Sequence, residues 1–208
     1  MIKTFVAGAV SANTYILKDE VTNDVAVIDC GECTAEIADC LKDEKVKYIL
    51  LTHGHFDHIN GIYELKKLHP EAKIAIHSLD ADCLNDDALS MGRGFGIFCE
   101  EKCDADIQLY DNDTLEFGTS DIKVLHTPGH TQGGVAYIYE KNLFTGDTLF
   151  YRSVGRTDFP GGSFPVLHAS VTRLFSLDGD YKVYPGHDKS TTLEIERKLN
   201  PYIKWRKK

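Results

Sequence analysis

The sequence predicts an α/β fold in which sheets are covered by helices. Runs rich in Val, Ile and Tyr recur along the chain, and segments with apolar residues at helical spacing lie between them. Strand and helix clusters occur in both halves, the pattern of layered α/β structures. The chain has 208 residues, of which 42% are hydrophobic and 26% charged. That is ordinary for a globular protein, and long enough to bury a core without disulfide staples. At roughly 150 residues per domain, one domain over residues 1–208 is expected, with no linker or low-complexity stretch.

The first residues, MIKTFVAGAVSANTY, imitate a secretory leader with a lysine, a short apolar run and small residues. One basic residue and a minimal apolar core fit a leader poorly. The segment reads instead as a strand over 2–6, a turn at Gly8 and a strand over 13–17. Next come a strand over 24–29 (DVAVID) and a helix over 34–44 with Ile37, Cys40 and Leu41 on one face. A strand over 46–51 leads to a helix over 60–68, carrying Ile62, Leu65 and Leu68 and stopping before Pro70. Further strands are predicted over 73–77, 121–125, 134–139 and 142–144. A helix over 165–175 turns Leu167, Val171, Leu174 and Phe175 inward. The last helix starts at a capping box, Thr191-x-x-Glu194, and ends before Asn200-Pro201.

Residues 90–98, SMGRGFGIF, have glycines at 92, 94 and 96 but lack the third glycine of a dinucleotide fingerprint and follow no strand. They read as a flexible loop that can double as a lid. The basic tail, 204–208, reads as a solvated end. With 23 Lys and Arg against 32 Asp and Glu, the net charge of −9 argues against a general nucleic-acid binder. No apolar run approaches a membrane span, so no membrane partner is expected. Six cysteines stand at 30, 33, 40, 83, 99 and 103. A disulfide framework belongs to small secreted domains. The pairs Cys30-x-x-Cys33 and Cys99-x-x-x-Cys103 have zinc or redox spacing, but no further pair is finger-like. Reduced thiols in a cytoplasmic protein are expected, with no chemistry assigned to them.

Four apolar strands run into a glycine followed at once by a metal-competent side chain: YILLTHGH at His55, IKVLHTPGH at His130, NLFTGD at Asp147 and YKVYPGH at His187. A glycine there permits a sharp turn and a close backbone approach. The first run is the richest, with His53, His55, Asp57 and His58 in THGHFDH. Histidines at i and i+2 can converge on one ion, and a carboxylate and histidine further on can reach a second, roughly 3.5–4 Å away. Seven nitrogen and oxygen donors suit zinc, iron or manganese. Each piece has a bland alternative, such as a chance HxH, Asp57 as a helix N-cap, or Asx and proline turns. Four strand ends presenting ligands together outweigh these alternatives. His69, His77, His126 and His168 lie outside the set, and His126, beside Thr127-Pro128, is expected to support the ligands from behind.

HxHxDH at 53–58, followed by His130, Asp147 and His187, resembles the metallo-β-lactamase superfamily, and within it the short glyoxalase II-like (hydroxyacylglutathione hydrolase-like) branch. The resemblance takes in Ala12-Asn13-Thr14-Tyr15 and GDTLFYRSVGRTDFPGGS at 146–163. It implies a four-layer αββα sandwich with metals at one edge. By position, His53, His55 and His130 would hold a first divalent ion, Asp57, His58 and His187 a second, and Asp147 would bridge them. Zinc is the implied metal, with iron and manganese as alternatives. Such a pair would lower the pKa of a shared water from about 15.7 to about 7. The resulting hydroxide would attack a small-molecule thioester, with Asp57 orienting the nucleophile.

Tyr151 and Arg156 are candidate substrate contacts, an Arg156–Asp158 ion pair being the alternative. Lactamase branches often carry cysteine where Asp147 stands, which argues against a β-lactamase. Long glyoxalase II enzymes grip glutathione with an added helical domain. Here only 21 residues follow His187, so a glutathione-linked thioester is one substrate class among several. Persulfide dioxygenase is the rival reading, with a single non-haem iron at His53, His130 and Asp147. A non-catalytic metal-binding module is the third.

Overall fold

Strands β2 (Ala12–Lys18), β3 (Val25–Ile28) and β4 (Val46–Leu50) are apolar on both faces, and such strands need cover on two sides. A computed structural model, describing residues 1–99 and 101–204, supplies that cover in four layers. With β1 (Ile2–Ala7), β5 (Lys73–His77) and β6 (Ile107–Leu109) these strands form a sheet in the order β1-β2-β3-β4-β5-β6. It is antiparallel from β1 to β3 and parallel from β3 to β6. The second sheet comprises β7 (Thr114–Leu115), β8 (Ile122–His126), β9 (Val135–Tyr139), β10 (Asn142–Gly146), β13 (Lys182–Pro185) and β14 (Thr191–Thr192). Its order is β14-β13-β10-β9-β8-β7, with β10 and β13 parallel. A small hairpin, β11 (Leu149–Phe150) and β12 (Ser153–Val154), stands beside it.

The inner faces of the two sheets meet in an aromatic layer that includes Tyr15, Tyr48, Phe117, Tyr137, Phe144 and Tyr184. On the outer face of the first sheet, α1 (Ala35–Leu41) and α3 (Ile62–Leu68) bury Ile37, Leu41, Ile62 and Leu65. On the outer face of the second, α4 (Phe164–Phe175) and α5 (Leu193–Leu199) bury Leu167, Val171, Leu174 and Leu193. The αββα sandwich is therefore the observed fold. Among the described residues, no helix is long and apolar enough to cross a membrane.

Local differences from the sequence expectation have identifiable causes. The helix expected over 60–68 starts at Ile62 as α3, and a separate short helix, α2 (Phe56–Ile59), precedes it; the Gly61 N–H between them donates to the Cys30 carbonyl at 2.8 Å. Leu68, expected to face inward, is 49% exposed at the end of α3. The cap of α5 is Thr192, whose hydroxyl accepts from the Ile195 N–H. Thr191 pairs with Val183 in β14 and donates to Glu196 Oε1 at 2.8 Å. Asp57 lies inside α2, and the N-cap residue there is His55. Strands β6, β7, β11, β12 and β14 escaped the sequence because two or three residues carry no readable period. The segment 90–98 contains a 3₁₀ turn, Gly92–Phe95. Of the basic tail, residues 205–208 lie outside the described residues.

Candidate metal centre

Strands β4, β8, β10 and β13 end at one rim of the sandwich, and the loops beyond them converge. His53 and His55 follow β4, Asp57 and His58 sit on α2, and His130, Asp147 and His187 follow β8, β10 and β13. Three groups have all their donor atoms within 4.8 Å of one another: His53, His55 and His130; His53, His58 and Asp147; and Asp57, His58 and His187. All seven predicted ligands are thus brought together. Asp147 stands between the groups, with Oδ1 3.4 Å from His58 Nε2 and Oδ2 3.4 Å from His130 Nε2. Asp57 Oδ2 lies 3.2 Å from His187 Nε2.

The glycines before the ligands do two different things. Gly129 and Gly146 have φ of 128° and 47°, turns that side chains of L-residues resist. Gly186 instead provides room, since a Cβ there would stand 2.2 Å from Asp147 Oδ1 and 2.8 Å from His58 Cε1.

Hydrogen bonds fix which ring nitrogens face the centre. The Asp29 carboxylate, at the end of β3, accepts from Thr52 N–H at 2.7 Å, from the Thr52 hydroxyl at 2.7 Å and from His58 Nδ1–H at 2.9 Å. With its own proton given to Asp29, the Thr52 hydroxyl accepts from His53 Nδ1–H at 3.1 Å. His130 Nδ1–H donates to the Arg156 carbonyl at 2.8 Å. Nε2 of all three rings is left to face inward. His53 Nε2, His58 Nε2 and Asp147 Oδ1 are buried with no hydrogen-bond partner. Orphaned atoms of this kind normally carry a cost that a bound cation removes. The donor set, the orphaned atoms and the space left by Gly186 fit a pair of divalent ions.

Electrostatics agree. Burial first, and then the neighbouring imidazoles, push His53 well below the usual histidine range, and the same causes bring His55 to about 3. Both rings are therefore neutral, as ligation requires. Burial opposes charge on Asp57, but His58 and His187 outweigh it and keep the carboxyl ionised. Burial likewise opposes charge on His58, where Asp57, Asp29 and Asp147 prevail and raise it.

Several supporting residues escaped the sequence reading. Asp29 ends its strand as the ligands end theirs, which was the one available signal, and Thr52 directly precedes His53. Asp80 gave no signal. Its two oxygens accept from Gly54 N–H at 3.0 Å and Gly133 N–H at 2.7 Å, tying the His55 loop to the His130 loop. The ANTY segment also finds its role. Asn13 donates to the Pro185 and Asp188 carbonyls and Tyr15 to the Pro185 carbonyl, clamping the turn that carries His187. His126 does not support the ligands. It stacks on His77 with centroids 4.1 Å apart and meets the Gln132 carbonyl.

A cleft of about 480 Å³ opens over the centre, with Met91, Phe95, Phe150, Val154 and Phe159 among its walls. Phe95, from the loop expected as a lid, lines it directly. Arg156 also lines it, paired with Asp158 through two 2.7 Å contacts and lying 3.8 Å over the Phe159 ring. Tyr151 does not line it; its ring sits under Lys189 Nζ.

Comparison with known proteins agrees with the geometry. Residues 7–187 match the Metallo-beta-lactamase superfamily. The chain is 31% identical over 213 residues to hydroxyacylglutathione hydrolase GloC of Haemophilus influenzae, spanning 94% of each protein. It is 32% identical over 200 residues to the mitochondrial persulfide dioxygenase ETHE1 of Homo sapiens, spanning 91% of this chain and 70% of that protein. Among solved structures, BLEG-1 B3 metallo-β-lactamase superposes with a TM-score of 0.90 at 33% identity, covering 99% of this chain and 100% of the other. TTHA1623 in a di-iron-bound form superposes at 0.83 and 31% identity, covering 97% and 100%. The first of these gives no support to the view that Asp147 separates the chain from β-lactamases. The chain belongs to the metallo-β-lactamase superfamily, whose members bind divalent metals and act as metal-dependent hydrolases or related enzymes.

Proposed function

We propose that the protein is a glyoxalase II-like thioester hydrolase working with two divalent ions, zinc by preference. The observation that carries this reading is the division of the donors into overlapping groups, with Asp147 between them, its Oδ1 near His58 and its Oδ2 near both His130 and His187. His53, His55 and His130 would hold one ion, Asp57, His58 and His187 the other, with Asp147 available to both. Bound there, such a pair supplies a hydroxide at neutral pH and polarises the carbonyl under attack.

The chain's own groups do the rest. Ionised Asp57 accepts a hydrogen bond from the attacking water and so orients it towards the carbonyl. The aromatic wall at Phe95, Phe150 and Phe159 receives the apolar part of the substrate and excludes bulk water. Among the described residues that line the cleft, Arg156 is the one lysine or arginine, and it meets an anionic thiol carrier, a glutathione thioester among them. Its side chain stays more than half exposed in the pair with Asp158. The similarity to GloC supports this substrate class.

The similarity to ETHE1 favours a second reading, persulfide oxidation at one iron held by His53, His130 and Asp147. His130 Nε2 lies 3.4 Å from Asp147 Oδ2, and His53 shares a donor group with each of them.

The test combines elemental analysis with three assays of the purified protein: thioester cleavage, oxygen uptake on glutathione persulfide, and opening of a chromogenic β-lactam. Two zinc ions per chain with thioester cleavage are expected. His55→Ala and Asp147→Ala should lose both metal and turnover, whereas Arg156→Ala should raise KM severalfold at unchanged kcat. Substantial thioester turnover by Asp147→Ala overturns the scheme. Iron with oxygen uptake establishes the second reading in its place.

A further inference from the structure

The Cys30-x-x-Cys33 pair has no part in the chemistry above, yet it lies directly beneath the ligand-bearing helix. Cys30 is buried and Cys33 half-buried, both are free thiols, and Cys33 packs against the core cluster that contains Cys30. Their loop is seated by a glycine from the opposite side. A Cβ on Gly61 would stand 2.7 Å from Cys30 Sγ and 2.5 Å from Cys33 N.

The same loop is locked to α2. Cys30 N–H donates to the His58 carbonyl at 2.7 Å, and the Cys30 carbonyl accepts from Gly61 N–H at 2.8 Å. Gly31, between the two cysteines, is pressed so closely under α2 that a Cβ on it would stand 2.0 Å from the Asp57 carbonyl oxygen. One residue upstream, Asp29 holds Thr52 and His58 from a left-handed backbone conformation with φ 55°. Such a residue has little freedom to absorb movement of its neighbour.

We propose that Cys30 and Cys33 form a redox-active dithiol that exchanges with small-molecule disulfides, and that its closure loosens the grip of Asp57 and His58 on their ion. The half-buried Cys33 thiolate attacks one sulfur of a low-molecular-weight disulfide such as oxidised glutathione, giving a mixed disulfide and one released thiol. Cys30 then displaces the second thiol, closing the Cys30–Cys33 bond. Two protein thiols are oxidised, one small disulfide is reduced to two thiols, and the two protons leave on those thiols. Closure redraws the turn between Asp29 and Thr34, on which α2 rests through the Cys30–His58 bond and the Gly31–Asp57 approach, and the start of α3 through Gly61. The coupling rests on Asp57 and His58 being ligands; the dithiol itself does not.

The experiment equilibrates wild type, Cys33→Ser and a Cys99→Ser/Cys103→Ser double variant with excess oxidised glutathione. Disulfides are then mapped by non-reducing digestion, and zinc affinity is measured by competition with a chromophoric chelator. Wild type and the double variant should gain a 30–33 link and lose the mass of two hydrogens. Their zinc affinity should fall about tenfold, at the lower end of what disturbed outer-shell contacts cost, and return on reduction. Cys33→Ser should keep the reduced protein's affinity throughout.

Thiols at 30 and 33 that stay reduced, or that carry only glutathione, overturn the proposal, as does unchanged zinc affinity after closure. Loss of zinc by Cys33→Ser itself overturns it too, by placing the metal on the thiols. A reduced wild type that takes up no zinc refutes the ligand assignment and the coupling together, while the mapped link is scored without metal.

Discussion

A single carboxylate, Asp29, governs the direction of two imidazoles. It takes Nδ1–H of His58 directly and that of His53 through the Thr52 hydroxyl, so both rings present Nε2 to the centre. Removing it frees both rings to turn and leaves the buried Thr52 amide unpaired. Asp29→Ala should lower zinc affinity by about 10–100-fold, read by chelator competition. His126→Ala, which removes a ring that stacks on His77 and meets the Gln132 carbonyl, should leave that affinity unchanged. The sequence pointed to His126 and passed over Asp29 for a physical reason. Ligand-type residues after glycine have a local signature, whereas a supporting carboxylate is defined by a partner 29 positions away. Arg156 and Tyr151 show the same limit. Both follow Asp147 closely, but the β11–β12 hairpin turns one onto the cleft wall and leaves the other outside it.

Among the elements, α4 does more than cover the second sheet. It also holds the His130 loop: the N–H of its cap residue Ser163 donates to the Gly129 carbonyl at 2.8 Å, and the Ser170 hydroxyl, near its middle, to the Pro128 carbonyl at 2.7 Å. Leu167 is fully buried at the centre of this contact, and its backbone nitrogen lies 2.2 Å from where a Gly129 Cβ would be. Leu167→Ala opens a cavity there and should cost about 2–5 kcal/mol of stability, measured by urea unfolding of the metal-free protein. The helix itself was legible, because twelve residues give the 3.6-residue period time to declare itself. The break between α2 and α3 was not. The Gly61 N–H there donates to a carbonyl at Cys30, which no window around Gly61 contains. The long strands and four of the strand-end ligand positions were likewise legible, whereas the two-residue strands exist only through their neighbours.

For the whole molecule, the end remote from the ligands is held by Asp19. Its carboxylate accepts from the Tyr139 hydroxyl at 2.6 Å, from Thr119 N–H and hydroxyl, and from Val21 and Thr22 N–H, joining the β2–β3 turn to the second sheet. The Tyr139 bond, followed by the Thr22 amide, holds this carboxyl below the usual aspartate range. A depressed folded pKa means stabilisation that is present above the unfolded value of about 3.9 and is lost as pH falls towards the folded one. Asp19→Ala should therefore melt lower than wild type at neutral pH. The gap between the two melting temperatures should narrow on acidification below about pH 4, as read by thermal scans across pH.

The chain passes from the first sheet to the second once, through residues 110–113 between β6 and β7. Every one of the three donor groups draws members from both sides of that crossing. None of these groups is complete within one half of the polypeptide, so a cation held there would also be a rivet through the seam. Chelation would then be felt as a parting of the two halves as well as a halt in turnover.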